Sequence, residues 1–160
     1  MLCWRGQSFL EQCMDASSSC DRSAITTLVV EDSPNQAAQL RMVLEVEVEQ
    51  FTVLMAKNGC AALAVLRETL PTMVITDVVM PEMDGYQLCD TIKKGRALHD
   101  IPVIMMTSLV SWDDITRNLE CGATHFLCKP YGSVALISRI NYIYAIWVAA
   151  WMRRLCGCCR

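Results

Sequence analysis

The chain has 160 residues, 53 % of them apolar, which is enough for one domain with a sizeable core and short tails. Its formal net charge is −3, yet residues 24–133 carry 14 acidic and 8 basic side chains, so the middle stands at −6 and the ends are basic. An acidic middle argues against a nucleic-acid binder, while it can hold a cation that in turn holds a phosphate.

Residues 1–23 end in the run Ala16 to Ser23, have no period and many small polar side chains, and read as a mobile leader. They contain Arg5, Glu11, Asp15, Asp21 and Arg22 and no apolar run of signal-peptide length, so a cytoplasmic location is expected. From Ile25 the pattern becomes regular. Ile25 to Val30, Phe51 to Ala56, Met73 to Thr76, Val103 to Met106 and His125 to Cys128 are short apolar or β-branched runs that predict strands. Between them lie helix-length stretches at Asn35 to Val48, Cys60 to Thr69, Gly85 to Lys94 and Trp112 to Glu120, and a last helix starts near Ser133. Nearly continuous apolar strands joined by helices predict a doubly wound α/β fold with a parallel sheet. Cys60, Cys89, Cys121 and Cys128 fall singly in apolar stretches and read as buried small hydrophobes. Met73, Met105 and Met106 likewise read as core, and His99 and His125 as loop or surface residues.

In such a fold the functional crevice lies beyond the carboxyl ends of the strands. There the sequence puts Glu31 and Asp32 after the first strand, Asp77 after the third, Thr107 and Ser108 after the fourth, and Lys129 with Pro130 after the fifth. Three carboxylates in one crevice repel one another, and a hard divalent cation with oxygen ligands, Mg²⁺ above all, relieves that repulsion. Asp77 can then stay ionised and attack a phosphorus atom, with Lys129 and the Thr107 hydroxyl meeting the transferred oxygens. Pro81, Asp84 and Gly85 read as the turn into the next helix, with Asp84 as its cap. Glu31 and Asp32 would otherwise serve only as a helix cap before Pro34, and Lys129 as a solvated surface charge.

The stretches Val29 to Ser33, Val74 to Cys89, Val103 to Ser108 and Phe126 to Pro130 closely resemble response-regulator receiver domains of two-component systems, over about residues 24–142. The resemblance implies a flavodoxin-like five-stranded sheet of order 2-1-3-4-5 with five helices, the last extended. It implies Mg²⁺ on Glu31, Asp32, Asp77 and the Val79 backbone carbonyl, phosphorylation of Asp77, and contacts from Thr107 and Lys129 to the phosphoryl group. It further implies a cis Lys129–Pro130 peptide and an aromatic switch at Phe126, coupled to Thr107. The partners it implies are a sensor histidine kinase or phosphotransfer protein, a downstream protein, and a second copy in a phosphorylation-dependent homodimer. The residues two beyond Asp77 and Thr107 are Val79 and Leu109, whose apolar side chains cannot orient an attacking water, so slow loss of the phosphate is expected.

Residues 143–160 form an apolar, Cys-rich extension: Tyr142 to Met152 is almost wholly apolar and is followed by Arg153, Arg154, Cys156, Cys158 and Cys159. That run is shorter than the ~20 residues of a membrane span. It reads first as a continuation of the last helix, packed on the domain or a partner. A membrane-surface helix with acylated cysteines is the second reading, with few basic residues to favour it. A tail thiolate metal site lacks paired spacing. Too few residues follow the receiver-like region to hold a DNA-binding motif, so output through another protein is expected, from a free-standing regulator, a relay shuttle or a piece of a hybrid sensor kinase. Two rivals from other classes are a haloacid-dehalogenase-like phosphohydrolase, which would need an acid where Val79 stands, and a flavin-binding or pure interaction module, which an acidic crevice suits badly.

Overall fold

The computed structural model describes residues 25–47, 51–108, 116–117 and 120–156. The leader, Leu109, Cys158, Cys159 and most of the helix expected over Trp112 to Glu120 lie outside these residues. In chain order the elements are β1 (Ile25–Val30), α1 (Pro34–Glu47), β2 (Phe51–Ala56), α2 (Gly59–Glu68), β3 (Met73–Asp77), α3 (Gly85–Lys94), β4 (Val103–Thr107), β5 (His125–Cys128) and α4 (Ser133–Cys156). All four strand pairings are parallel, and the sheet order is β2-β1-β3-β4-β5. This is the flavodoxin-like order, with several helices flanking the sheet.

Strand side chains alternate between faces, so the sheet separates two cores. Leu28, Val30, Val74, Val103 and Met105 pack with α2 and α3 on one face. Ile25, Val29, Met73, Ile75, Ile104 and Met106 pack on the other, with Leu40 and Leu44 of α1 and Leu136, Ile140 and Ile143 of α4. Both faces are covered, which is why β3 and β4 are buried at every position. Each such large aliphatic side chain contributes roughly 1.5–3 kcal/mol on burial. Cys89 and Cys121 are buried as expected, but Cys60 is exposed and Cys128 only half-buried. Cys60 sits in the first turn of α2, next to the Asn58 cap.

Local chemistry fixes the helix starts at the upper rim of the sheet. Asn58 caps α2, its Oδ1 accepting from the Ala61 amide at 2.8 Å. Asp84 caps α3 in a reciprocal box: Oδ1 accepts from the Gln87 amide at 2.7 Å, and Gln87 Oε1 accepts from the Asp84 amide at 3.1 Å. The loop into α3 bends through Glu82, whose φ is 68°. Gly85 then donates to the Val78 carbonyl at 2.9 Å. A Cβ at Gly85 would overlap the Asp77 carbonyl oxygen, so only glycine lets the loop fold back this tightly.

Beyond Ile143 no residue of α4 through Ala149 is fully buried, yet the helix continues to Cys156. Among the described residues, no helix is long and apolar enough to cross a membrane.

Candidate functional site

β1 and β3 are adjacent and in register, so their carboxyl ends deliver carboxylates to one place. Glu31 is held by its amide, which donates to the Ala56 carbonyl at 3.0 Å, and Asp77 is the last residue of β3. Oxygens of Glu31, Asp32 and Asp77 all lie within 4.8 Å of one another. Glu31 is 3 % exposed and Asp77 8 %, while Asp32 faces solvent. β4 brings Thr107, itself buried, to the same rim. Strand pairing continues one residue past β5, where the Lys129 amide donates to the Thr107 carbonyl at 2.7 Å, and aims Lys129 inward.

Lys129 is the electrostatic centre of the arrangement. Its Nζ donates to Asp77 Oδ2 at 2.7 Å, to Glu31 Oε2 at 3.2 Å and to Gln36 Oε1 at 2.7 Å. Asp77 Oδ1 accepts from the Val78 amide at 2.6 Å, and Glu31 Oε1 from the Ser33 amide at 3.2 Å. Burial pushes the Glu31 carboxyl above its ordinary value; the Lys129 hydrogen bond opposes this, and the neighbouring Asp77 charge adds to it. Burial alone would depress the Lys129 ammonium, but hydrogen bonds and attraction from Asp77 and then Glu31 outweigh it and hold it above its usual value. The ammonium thus neutralises two crowded anions.

The structure brings Glu31, Asp32, Asp77 and Lys129 of the predicted crevice together and places Thr107 at the same rim. Val79 stands two residues past Asp77 with a side chain 58 % exposed, and Phe126 on β5 is 38 % exposed. The Lys129–Pro130 peptide is cis, as the resemblance implied. Gln36, in the first turn of α1, escaped the sequence reading; its place two residues after a helix-starting Pro34 turns it toward the crevice, but nothing in its residue type announced a lysine partner. Neither histidine faces the crevice. His125 begins β5 at the opposite edge, its ring 5.8 Å from that of Tyr142. Beside Lys129, between α1 and α4, runs a groove of about 610 Å³ lined by Gln36, Leu40, Met42, Val43, Tyr131 and Leu136, among others.

An oxygen-only acidic cluster of this kind can coordinate a divalent metal, and a lysine poised on the central aspartate suits anionic oxygens. Fold and crevice together are those of a flavodoxin-like domain whose acidic cluster is placed like a phosphoacceptor and metal site. The family profile described as response regulator receiver domain matches residues 27–141, and the chain belongs to that family. Residues 27–141 are therefore a signalling receiver domain.

Among curated proteins, the chain is 36 % identical over 118 residues to a probable transcriptional regulator, ycf27, of Pyropia yezoensis, covering 72 % of this chain and 46 % of that protein. It is 33 % identical over 123 residues to histidine kinase P4 of Formosa agariphila, covering 77 % of this chain and 9 % of that one. The chain thus spans less than half the length of these relatives. Among solved structures, the signal receiver domain of a signal transduction histidine kinase from Syntrophus aciditrophicus aligns with a TM-score of 0.72 at 42 % identity, over 76 % of this chain and 91 % of that one.

Proposed function

We propose that Asp77 is the phosphoacceptor and that Glu31, Asp32, Asp77 and the Val79 backbone carbonyl hold Mg²⁺. The observation that carries this reading is the three carboxylates within 4.8 Å, with the Lys129 ammonium on the middle one. When bound, the ion adds the positive charge that lets all three stay ionised together and draws phosphoryl oxygens toward them. Asp77 Oδ1 is oriented by the Val78 amide, which leaves its other oxygen, now on Lys129, as the attacking atom. Lys129 then follows the charge from Asp77 to the incoming phosphoryl oxygens, and the Thr107 hydroxyl donates to the same group. That approach of Thr107 vacates space into which the Phe126 ring turns, coupling the crevice to the face formed by β5 and α4.

The phosphoryl donor in this reading is a phosphohistidine on a sensor kinase or phosphotransfer protein. The groove beside Lys129, with Met42 and Val46 exposed at 68 % and 69 % on α1, offers it an apolar approach. The receiver unit is residues 24–142, and output passes to a second protein or, as the Syntrophus relative's name supports, stays within a hybrid kinase of which this chain is a part. A phosphorylation-dependent homodimer through the β5 and α4 face completes the proposal. Incubation with Mg²⁺ and acetyl phosphate, read by intact mass, tests the centre of it: wild type gains one phosphoryl group, and Asp77→Asn gains none. A phosphoryl adduct on the Asp77→Asn protein, or none on wild type, overturns it.

A further inference from the structure

Away from the crevice, two thiols meet in the core beneath α3. Cys89 on α3 is fully buried, and Cys121, in the turn before β5, is 8 % exposed. They are 32 residues apart in sequence, yet Cys89 Sγ donates to the Cys121 carbonyl at 3.3 Å. Cys121 Sγ also reaches Met105 Sδ at 3.6 Å. The geometry points to Cys89 and Cys121 as an oxidisable pair that a hydroperoxide converts to an intramolecular disulfide, fastening α3 to the turn that feeds β5.

A polarised thiol needs a proton donor and nearby positive charge. On the first count Cys89, beside Cys121, lowers the Cys121 thiol while its own is raised. Lys93 supplies the second, and its attraction to both sulfurs counters the burial that lowers its own ammonium. That ammonium is anchored by the His99 and Ile101 carbonyls at 3.2 and 2.7 Å. The same side chain lies over the residue that follows Cys121. Gly122, at φ +77°, exposes its backbone directly under the Lys93 stem, whose Cγ would stand 3.2 Å from a Cβ there. A flexible alkyl stem is easily displaced, so a small oxidant reaches Cys121 without unfolding α3.

The chemistry balances in two steps. The Cys121 thiolate attacks one hydroperoxide oxygen; the S–O bond forms, the O–O bond breaks, and the other oxygen leaves with a proton as an alcohol, or as water when the oxidant is hydrogen peroxide. Cys89 Sγ then attacks the Cys121 sulfenic sulfur; the S–S bond forms, the S–O bond breaks, and the hydroxyl departs as water with the Cys89 proton. Two thiols lose two electrons and the peroxide gains them.

The test oxidises the folded full-length chain with hydrogen peroxide, alkylates remaining thiols under denaturing conditions and maps tryptic peptides. A cross-link between peptides Glu68–Lys93 and Asn118–Arg139, two hydrogens lighter than their sum and cleaved by dithiothreitol, is expected. It persists in Cys128→Ser, the other cysteine on the second peptide, and disappears in Cys89→Ala and Cys121→Ala. Exposed Cys60 is the internal clock. If Cys60 is fully oxidised while wild-type Cys89 and Cys121 are recovered as thiols, or as separate oxyacids with no cross-link, the pair is only core packing and the inference is overturned.

Discussion

The two ends of the sheet are built on opposite principles. At the carboxyl ends, Glu31, Asp77 and Thr107 are buried polar groups, and like charges are pressed together around one ammonium. At the amino ends, Leu70, Pro71, Ile101, Pro102, Ile143 and Ile146 line a mostly apolar groove of about 420 Å³, and among the described residues no carboxylate trio sits there. One end supplies cohesion. The other holds electrostatic tension that a cation or a phosphate can release, so stability and function separate along the strand direction.

The sharpest way to break that separation is to damage the cohesive end. Ile101 is 7 % exposed within the α2 and α3 core. Ile101→Ala is expected to lower unfolding free energy by about 2–4 kcal/mol in urea while Mg²⁺ affinity stays at the wild-type level. A large drop in Mg²⁺ affinity would show that the two ends are coupled. The converse change is Lys129→Met. With side-chain exposures of 17 % for Lys129, 12 % for Asp77 and 0 % for Glu31, removing the ammonium strands two anions that solvent screens only in part. A loss of about 2–3 kcal/mol is expected in the metal-free protein, and Mg²⁺ should restore most of it. Loss that Mg²⁺ does not mend would mean that Lys129 serves packing alone.

A smaller effect concerns how long the tension stays relieved. Val79→Asn puts an amide able to orient water beside Asp77, and acyl-phosphate loss should quicken several-fold with stability unchanged. An unaltered phosphate half-life would remove Val79 from the account. The mildest effect is on pH. Glu31 is raised from its ordinary 4.5, so protons compete for it at a higher pH than for a solvated glutamate. Mg²⁺ affinity should be complete above that raised value and fall as pH drops through it, a dependence that Glu31→Gln flattens. The folding linkage runs the other way. Because the folded chain binds this proton more tightly than the unfolded one, the Glu31 contribution to metal-free stability is greatest below pH 4.5 and declines as pH rises through the folded value.

Much of this was legible in the sequence because parallel strands buried on both faces have no alternative to continuous apolar runs. β1, β2 and β5 begin and end where those runs do. β3 and β4 each extend one residue further, taking Asp77 and Thr107 into the strands, because ladder hydrogen bonds do not stop where hydrophobicity stops. The crevice was readable for the same reason: residues after parallel strands must converge, whatever lies between them in sequence. Contacts set by side-chain reach were not readable. Gln36 on Lys129 and Cys89 beside Cys121 depend on how helices settle on the sheet, and a single exposed Cys60 at a helix start looks the same in sequence as a buried one.

The final helix has a mechanical consequence. At about 1.5 Å per residue its 24 residues make a rod of roughly 36 Å, anchored in the core over its first three turns by Leu136, Ile140 and Ile143. A rod anchored at one end behaves as a lever: a slight rotation at its base, a few residues from Lys129, sweeps its far tip through a distance that grows with its length. Any such rotation is thereby amplified toward Cys156, the far end of the helix.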